Sequence, residues 1–125
     1  MLTNAPVSVS MPAVDLARAR KFYVETLGLK EREVPEDVGA MFEAGGGTIL
    51  FLYEREATKA DHTVASFTVE SVEASVAELT ERGVVFEQYD MGEIKTDERG
   101  VAVLGDSKVA WFKDGEGNIL SLNEM

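Results

Sequence analysis

The sequence predicts an α+β fold of two βαβββ modules in tandem, on three observations. A short passage is written twice, at residues 14–28 and 69–83. Each copy follows a segment with the two-residue alternation of a half-buried strand. Each precedes three further strand-like stretches punctuated by glycines. The first copy reads Val14-Asp15-Leu16-Ala17-Arg18-Ala19, then Phe22-Tyr23, then Leu27-Gly28; the second reads Val69-Glu70-Ser71-Val72-Glu73-Ala74, then Leu79, then Gly83. In both, an apolar residue precedes an acid, an alanine follows four positions later, and a glycine stands 13 positions after the acid. Two matched units imply internal pseudo-symmetry and a cleft shared between the halves.

The elements follow in order. Val7-Ser8-Val9-Ser10-Met11 alternates as a strand that Pro12 ends. Asp15 is placed to cap a helix whose apolar positions Leu16, Ala19, Phe22, Tyr23 and Leu27 share one face, with Gly28 as its stop. Strands are expected at 29–34, 40–44 and 48–53, the last two joined through the hairpin turn Gly45-Gly46-Gly47. The second half repeats the order: a strand over 63–69, a helix over 72–82 with Val72, Val76 and Leu79 on one face, and strands over 84–89, 109–113 and 119–123. The last two flank Asp114-Gly115-Glu116-Gly117-Asn118, where glycines supply the positive φ of a tight turn.

The 125 residues make a single domain: module one over about 5–54, a charged connector at 55–61, and module two over about 62–124. Half a chain of this length is marginal alone, so the repeats are expected to fold together. Module two carries an inserted loop, about 90–108, without a counterpart in module one; such loops serve as lids or binding loops, and as often have no role.

A formal net charge of −11 argues against a nucleic-acid partner, because that affinity comes from Lys and Arg neutralising phosphates. It favours cationic small molecules, and it also describes an ordinary solvated surface. With no cysteine, a disulfide framework, a thiolate zinc site and a cysteine nucleophile are all excluded. No apolar run approaches the length of a membrane span, and residues 1–10 lack a basic segment followed by an apolar one. No membrane partner and a cytoplasmic location are the expectation.

The run Val14-Asp15-Leu16-x-x-Ala19-x-x-Phe22-Tyr23-x-x-x-Leu27-Gly28, its repeat at 69–83, and the ending Trp111-Phe112-Lys113-Asp114-Gly115-Glu116-Gly117-Asn118-Ile119-Leu120 resemble the vicinal oxygen chelate superfamily. That group includes glyoxalase I, extradiol dioxygenases, fosfomycin-resistance enzymes and bleomycin-resistance binding proteins. The resemblance implies the glyoxalase/bleomycin-resistance fold, each module a curved mixed sheet around a cavity, and a homodimer. One such scaffold hosts several chemistries and pure binders alike.

Metal-dependent members of that family place a His, Gln or Glu on the first and last strands of each module. Carried onto this chain, those positions are Ser8, Phe51, Val64 and Ser121. A divalent ion needs imidazole or carboxylate donors at about 2.0–2.2 Å, which these side chains do not supply. No metal and no cofactor are therefore expected. His62, the only histidine, sits two residues before Val64 and reads as an exposed residue where the connector meets the strand.

Other chemistry finds little support. Glu43, Glu54, Glu70 and Glu87 are available as acids or bases, yet no spacing singles one out, and catalytic residues stay unknown. Ser8, Ser66 and Ser121 lack a histidine partner at any motif spacing. If the four positions face inward, alternation adds Ser10, Tyr53 and Ser66 to them, with Trp111 as a wall. The candidate ligand-binding set is Ser8, Phe51, Tyr53, Val64, Ser66, Trp111 and Ser121, an apolar lining with a few hydroxyls. Core packing is the plain alternative for each of them.

The leading expectation is a metal-independent small-molecule-binding protein of the glyoxalase/bleomycin-resistance type, with sequestration of a toxin or antibiotic as one use. The alternatives are a glyoxalase-like lyase or isomerase acting on a small organic substrate, using an inward acid and the 90–108 loop, or a structural dimer module without ligand.

Overall fold

The computed structural model describes residues 1–35 and 37–124. The chain divides into two compact units, Met1–Thr58 and Lys59–Met125, with the break inside the charged connector. Among the described residues, no helix is long and apolar enough to cross a membrane.

In the first unit the order is β1 (Val9–Ala13), α1 (Leu16–Lys21), a π-helical turn (Phe22–Thr26), β2 (Lys30–Arg32), β3 (Ala40–Glu43), a 3-10 turn (Gly45–Gly47) and β4 (Ile49–Glu54). The sheet runs β1-β4-β3-β2, with β1 parallel to β4 and the other pairs antiparallel. Parallel neighbours need a crossover, and α1 with the strands after it supplies one. Alternation then sorts the side chains. Met11, Ala13, Ala40, Phe42, Leu50 and Leu52 are buried, and Tyr23 stacks on Phe42 at a centroid distance of 5.5 Å, which places α1 on that face. Ser10, Met41, Phe51 and Tyr53 lie on the opposite face.

Pro12 does not end β1; it sits inside the strand, opposite Tyr53. β1 is the edge of this sheet, where a residue without an N–H costs no ladder hydrogen bond if that position faces away from the neighbouring strand. The expected hairpin at Gly45–Gly47 is present. Gly46 and Gly47 take φ of 66° and 75°, and Ala44 N–H donates to Thr48 O at 2.9 Å to close it.

Asp15 caps α1 as its position requires, its Oδ1 accepting from Arg18 N–H at 3.1 Å. In the repeat the cap is Ser71 rather than the acid Glu70, with Ser71 Oγ accepting from Ala74 N–H at 3.1 Å. The span from cap to turn glycine is thus one residue longer in the first module. The expected single α-helix to Leu27 absorbs that residue as the π-helical turn, in which Leu27 N–H donates to Phe22 O, five residues back, at 3.0 Å.

The second unit contains β5 (Thr63–Thr68), α2 (Val72–Glu81), β6 (Asp90–Met91), β7 (Ile94–Lys95), β8 (Val101–Leu104), β9 (Ser107–Lys113) and β10 (Ile119–Asn123). Its main sheet runs β5-β10-β9-β8, with β5 parallel to β10, and β6 pairs with β7 in a separate hairpin. Two four-stranded mixed sheets, each with one helix, make the α+β tandem architecture. Val72, Val76, Phe86, Ala110, Phe112, Leu120 and Leu122 are buried, with Phe86 and Phe112 edge to face at 5.4 Å. Glu124 pins the end of the chain to α2, its Oε2 accepting from Val72 N–H at 2.8 Å.

The strand expected over 84–89 is reduced to one bridge, Phe86 to Phe112. The reason is competition for an edge. β8 pairs with β9 from Val101–Ala110 to Leu104–Ser107, leaving only the end of β9 free for the 84–89 segment. The 90–108 stretch therefore contributes an edge strand to the sheet as well as the β6–β7 hairpin.

Candidate functional site

The face of the second sheet opposite α2 brings one row of candidates together. Ser66 on β5, Ser121 on β10 and Trp111 on β9 are direct register partners. Ser66 Oγ and Ser121 Oγ lie 2.6 Å apart, so one hydroxyl donates to the other. Ser121 is only 4% exposed, whereas Trp111 is half-buried and Ser66 exposed. Val64, also half-buried, does not join the row: the β5–β10 register shifts there, with Thr63 opposite Ile119 and Ala65 opposite Leu120, so Val64 is the extra residue of a bulge. By alternation along β9 Lys113 closes one end of the face, paired with Glu87 at 3.9 Å.

The corresponding row of the first sheet is Ser10, Phe51 and Met41. Phe51 and Tyr53, both half-buried, stack with centroids 6.5 Å apart and planes at 19°. Phe51 rests over Gly39, where a Cβ atom would come within 2.9 Å of its Cζ. Ser8 does not join this row. It precedes β1 and is exposed, and Ser10 holds the place opposite Phe51.

Tyr89 is the residue that sequence reasoning missed. Its ring meets Trp111 edge to face at 5.4 Å, widening the aromatic wall. Alternation with the buried Phe86 was the available signal, since it turns Tyr89 to the opposite face. Burial first, and then the Glu87 charge, push the Tyr89 phenol above its usual range.

The candidate acids are scattered. Glu43 pairs with Arg32 at 3.3 Å, while Glu54 and Glu70 are exposed. His62 is exposed just before β5, its Nδ1 3.1 Å from Thr63 O. Among the described residues, no three His, Asp or Glu side chains gather closely enough to hold a metal ion. The positions at which the resemblance places metal ligands, Ser8, Phe51, Val64 and Ser121, carry two hydroxyls, a phenyl ring and an isopropyl group. That donor set does not fit a divalent cation, and the Ser121 hydroxyl is already engaged with Ser66.

Charge gathers instead on the α2 side of the second sheet. Arg99 pairs with Asp97 at 2.8 Å and with Glu73 at 3.0 Å, and Lys108 pairs with the other oxygen of Glu73. Hydrogen bonds from Lys108 and Arg99 hold the Glu73 carboxyl below its ordinary value of 4.5. At Asp97 burial acts upward, but the Val101 and Arg99 N–H groups and the Arg99 guanidinium outweigh it, and the carboxyl lies below 3.8. Depressed values mean that the stability these pairs contribute is complete above the unfolded-state pKa and is lost as pH falls through the folded one. Carboxyl-carbon NMR titrations of Glu73 and Asp97 are therefore expected to show midpoints below 4.5 and 3.8. In Lys108→Met the Glu73 midpoint should move upward.

Comparison with known proteins agrees with this architecture. The model of the Glyoxalase/Bleomycin resistance protein/Dioxygenase superfamily matches residues 6–122. A search of curated protein sequences found no match. Among solved structures, an antibiotic-binding protein from Streptomyces sp. CB03234 is similar with TM-score 0.68 and 25% identity, over 99% of this chain and 98% of that one. A glyoxalase/bleomycin resistance protein from the same organism is similar with TM-score 0.68 and 26% identity, over 95% and 99%. A putative glyoxalase family protein from Bacillus anthracis shares the fold with TM-score 0.74 and 21% identity, over 97% and 94%. The family match spans both modules, and the chain belongs to the glyoxalase/bleomycin resistance protein/dioxygenase superfamily.

Proposed function

We propose that this chain is a metal-independent small-molecule-binding protein that holds a partly hydrophobic ligand of the toxin or antibiotic kind. The observation that carries the reading is the Ser66–Ser121–Trp111 row, with Tyr89 against the indole. Flat aromatic surface supplies burial, and a hydroxyl pair can give and accept a hydrogen bond, which is what orients an organic ligand on an apolar wall. Phe51 and Tyr53 offer a second stacked aromatic surface on the first sheet, with Ser10 taking the part expected of Ser8. The similarity to an antibiotic-binding protein supports the ligand class. We expect a cytoplasmic homodimer, and light scattering of the purified chain can show its assembly.

The test uses protein stripped with a chelator and titrated calorimetrically with bleomycin, daunorubicin and neutral 2-naphthol. Saturable binding by at least one of them is expected. Trp111→Ala should weaken it by about tenfold, the equivalent of roughly 1.4 kcal/mol. Binding that appears only after a divalent metal is restored, or no binding by any probe, would count against the proposal.

A further inference from the structure

The 88–98 segment closes on itself at a neck and is tied to the rest of the unit in two ways. Its neck is a pair of hydrogen bonds: Tyr89 N–H donates to Thr96 Oγ1 at 2.8 Å, and Thr96 N–H donates to Tyr89 O at 2.9 Å. Below the neck, Gln88 Nε2 donates to Glu98 O at 2.8 Å; above it, β6 and β7 close the tip. One tie is backbone to the edge strand β8, where Thr96 bridges Ala102 and Asp97 N–H donates to Val101 O at 2.8 Å; the other leads to α2. Arg99, fastened to Asp97 through its side chain, reaches Glu73 at 3.0 Å. Between them lies an open cleft of about 400 Å³ lined by Glu73, Lys95, Thr96, Arg99, Val103 and Lys108. Exposed ion pairs span this gap, and Val101 and Val103 also line it.

The neck residue Tyr89 is also the ring set against Trp111. The segment therefore wraps the β8 edge of the sheet, with its tether on the helix side and its aromatic contact on the opposite face. We propose that residues 88–98 form a strap whose opening uncovers the Trp111 face, and that Glu73 holds it shut through Arg99. This deepens the reading of that face as a ligand site. Exposed ion pairs are individually weak and screened by salt, so the α2 tether, unlike the backbone bridge to β8, is released at small energetic cost.

The test needs no ligand, so its failure is distinct from failure of the binding titrations. Trp111 is the only tryptophan, and acrylamide quenching of its fluorescence reads its accessibility. Amide hydrogen exchange at Tyr89 and Thr96 reads the neck. In Glu73→Gln and Arg99→Gln, both are expected to rise by about two- to fivefold, the factor that losing one or two exposed ion pairs implies. In the unaltered protein about 1 M salt should have the same effect, because screening then acts within about 3 Å. Glu78→Gln, which removes the separate Arg82–Glu78 pair on α2, should change neither. The proposal is overturned if neck exchange does not respond to the tether variants or to salt. It is equally overturned if exchange rises while Trp111 quenching stays constant, or if Glu78→Gln has the same effect as Glu73→Gln.

Discussion

Gly39→Ala is expected to destabilise the chain by about 3–5 kcal/mol, combining backbone strain with a clash that cannot relax. Gly39 has φ of +141°, a region that L-residues rarely enter, and a Cβ there would lie 2.3 Å from Leu52 O and 2.9 Å from Phe51 Cζ. The nearer atom is backbone of the central strand β4, so β3 and β4 must separate or Gly39 must change conformation. With an m-value of about 2 kcal/mol/M, the urea midpoint should fall by on the order of 2 M. Against a typical total stability of about 5–15 kcal/mol, such a loss leaves little margin. Gly45→Ala is the internal control: its Cβ meets nothing within 4 Å, and its φ is not positive. It should be neutral or gain about 0.4–1 kcal/mol through reduced freedom of the unfolded chain. Equal midpoints for the two variants would refute this account of Gly39. Because Phe51 rests on Gly39, any Gly39→Ala protein that folds should also lose affinity in the binding titrations.

Asp114→Ala carries the second large effect, about 3–5 kcal/mol, because one buried carboxylate organises the whole turn between β9 and β10. Asp114 is 4% exposed. Its Oδ1 accepts from the N–H groups of Glu116 and Asn118, each at 2.9 Å, and its Oδ2 accepts from Asn118 Nδ2 at 2.8 Å. Truncation strands three donors in a buried turn, and a stranded donor costs more than the bond was worth. Asp114→Asn keeps an acceptor for the two backbone donors but turns its own amide toward the Asn118 amide, so a loss of about 1–2 kcal/mol is expected. The turn holds β9 and β10 in the register that sets Trp111 beside Ser121, so ligand affinity should fall with stability in the same order of variants. Calorimetric unfolding with matched binding titrations checks both, and an Asp114→Ala protein as stable as the parent would refute the assignment.

Local chemistry made much of the scaffold legible. Asp15 announces a helix start because a short carboxylate can satisfy a free N–H at that position, and Gly45-Gly46-Gly47 announces a turn because glycine enters positive φ without penalty. Alternation placed Phe51 with Tyr53 on a common face, since side-chain direction in a strand repeats every two residues; at Val64 the register shift of β5 against β10 interrupts it. The repeat was legible too, but its alignment through Glu70 missed by one position at the helix cap. Nothing local distinguishes a π-helical turn from an α-helix when an extra residue must be housed before Gly28.

The sequence by itself determined the order of elements in the first module, the doubling of the unit, and the faces of most of the strands it located, because these follow from periods and turn residues within a few positions. Only the tertiary structure decided that β8 displaces the 84–89 segment from most of the β9 edge, that Ser10 rather than Ser8 stands opposite Phe51, and that Tyr89 closes on Trp111 while Arg99 reaches Glu73. Each of these is a competition or a meeting between segments remote in sequence. Its outcome depends on register and edge availability across the sheet, which no local pattern encodes.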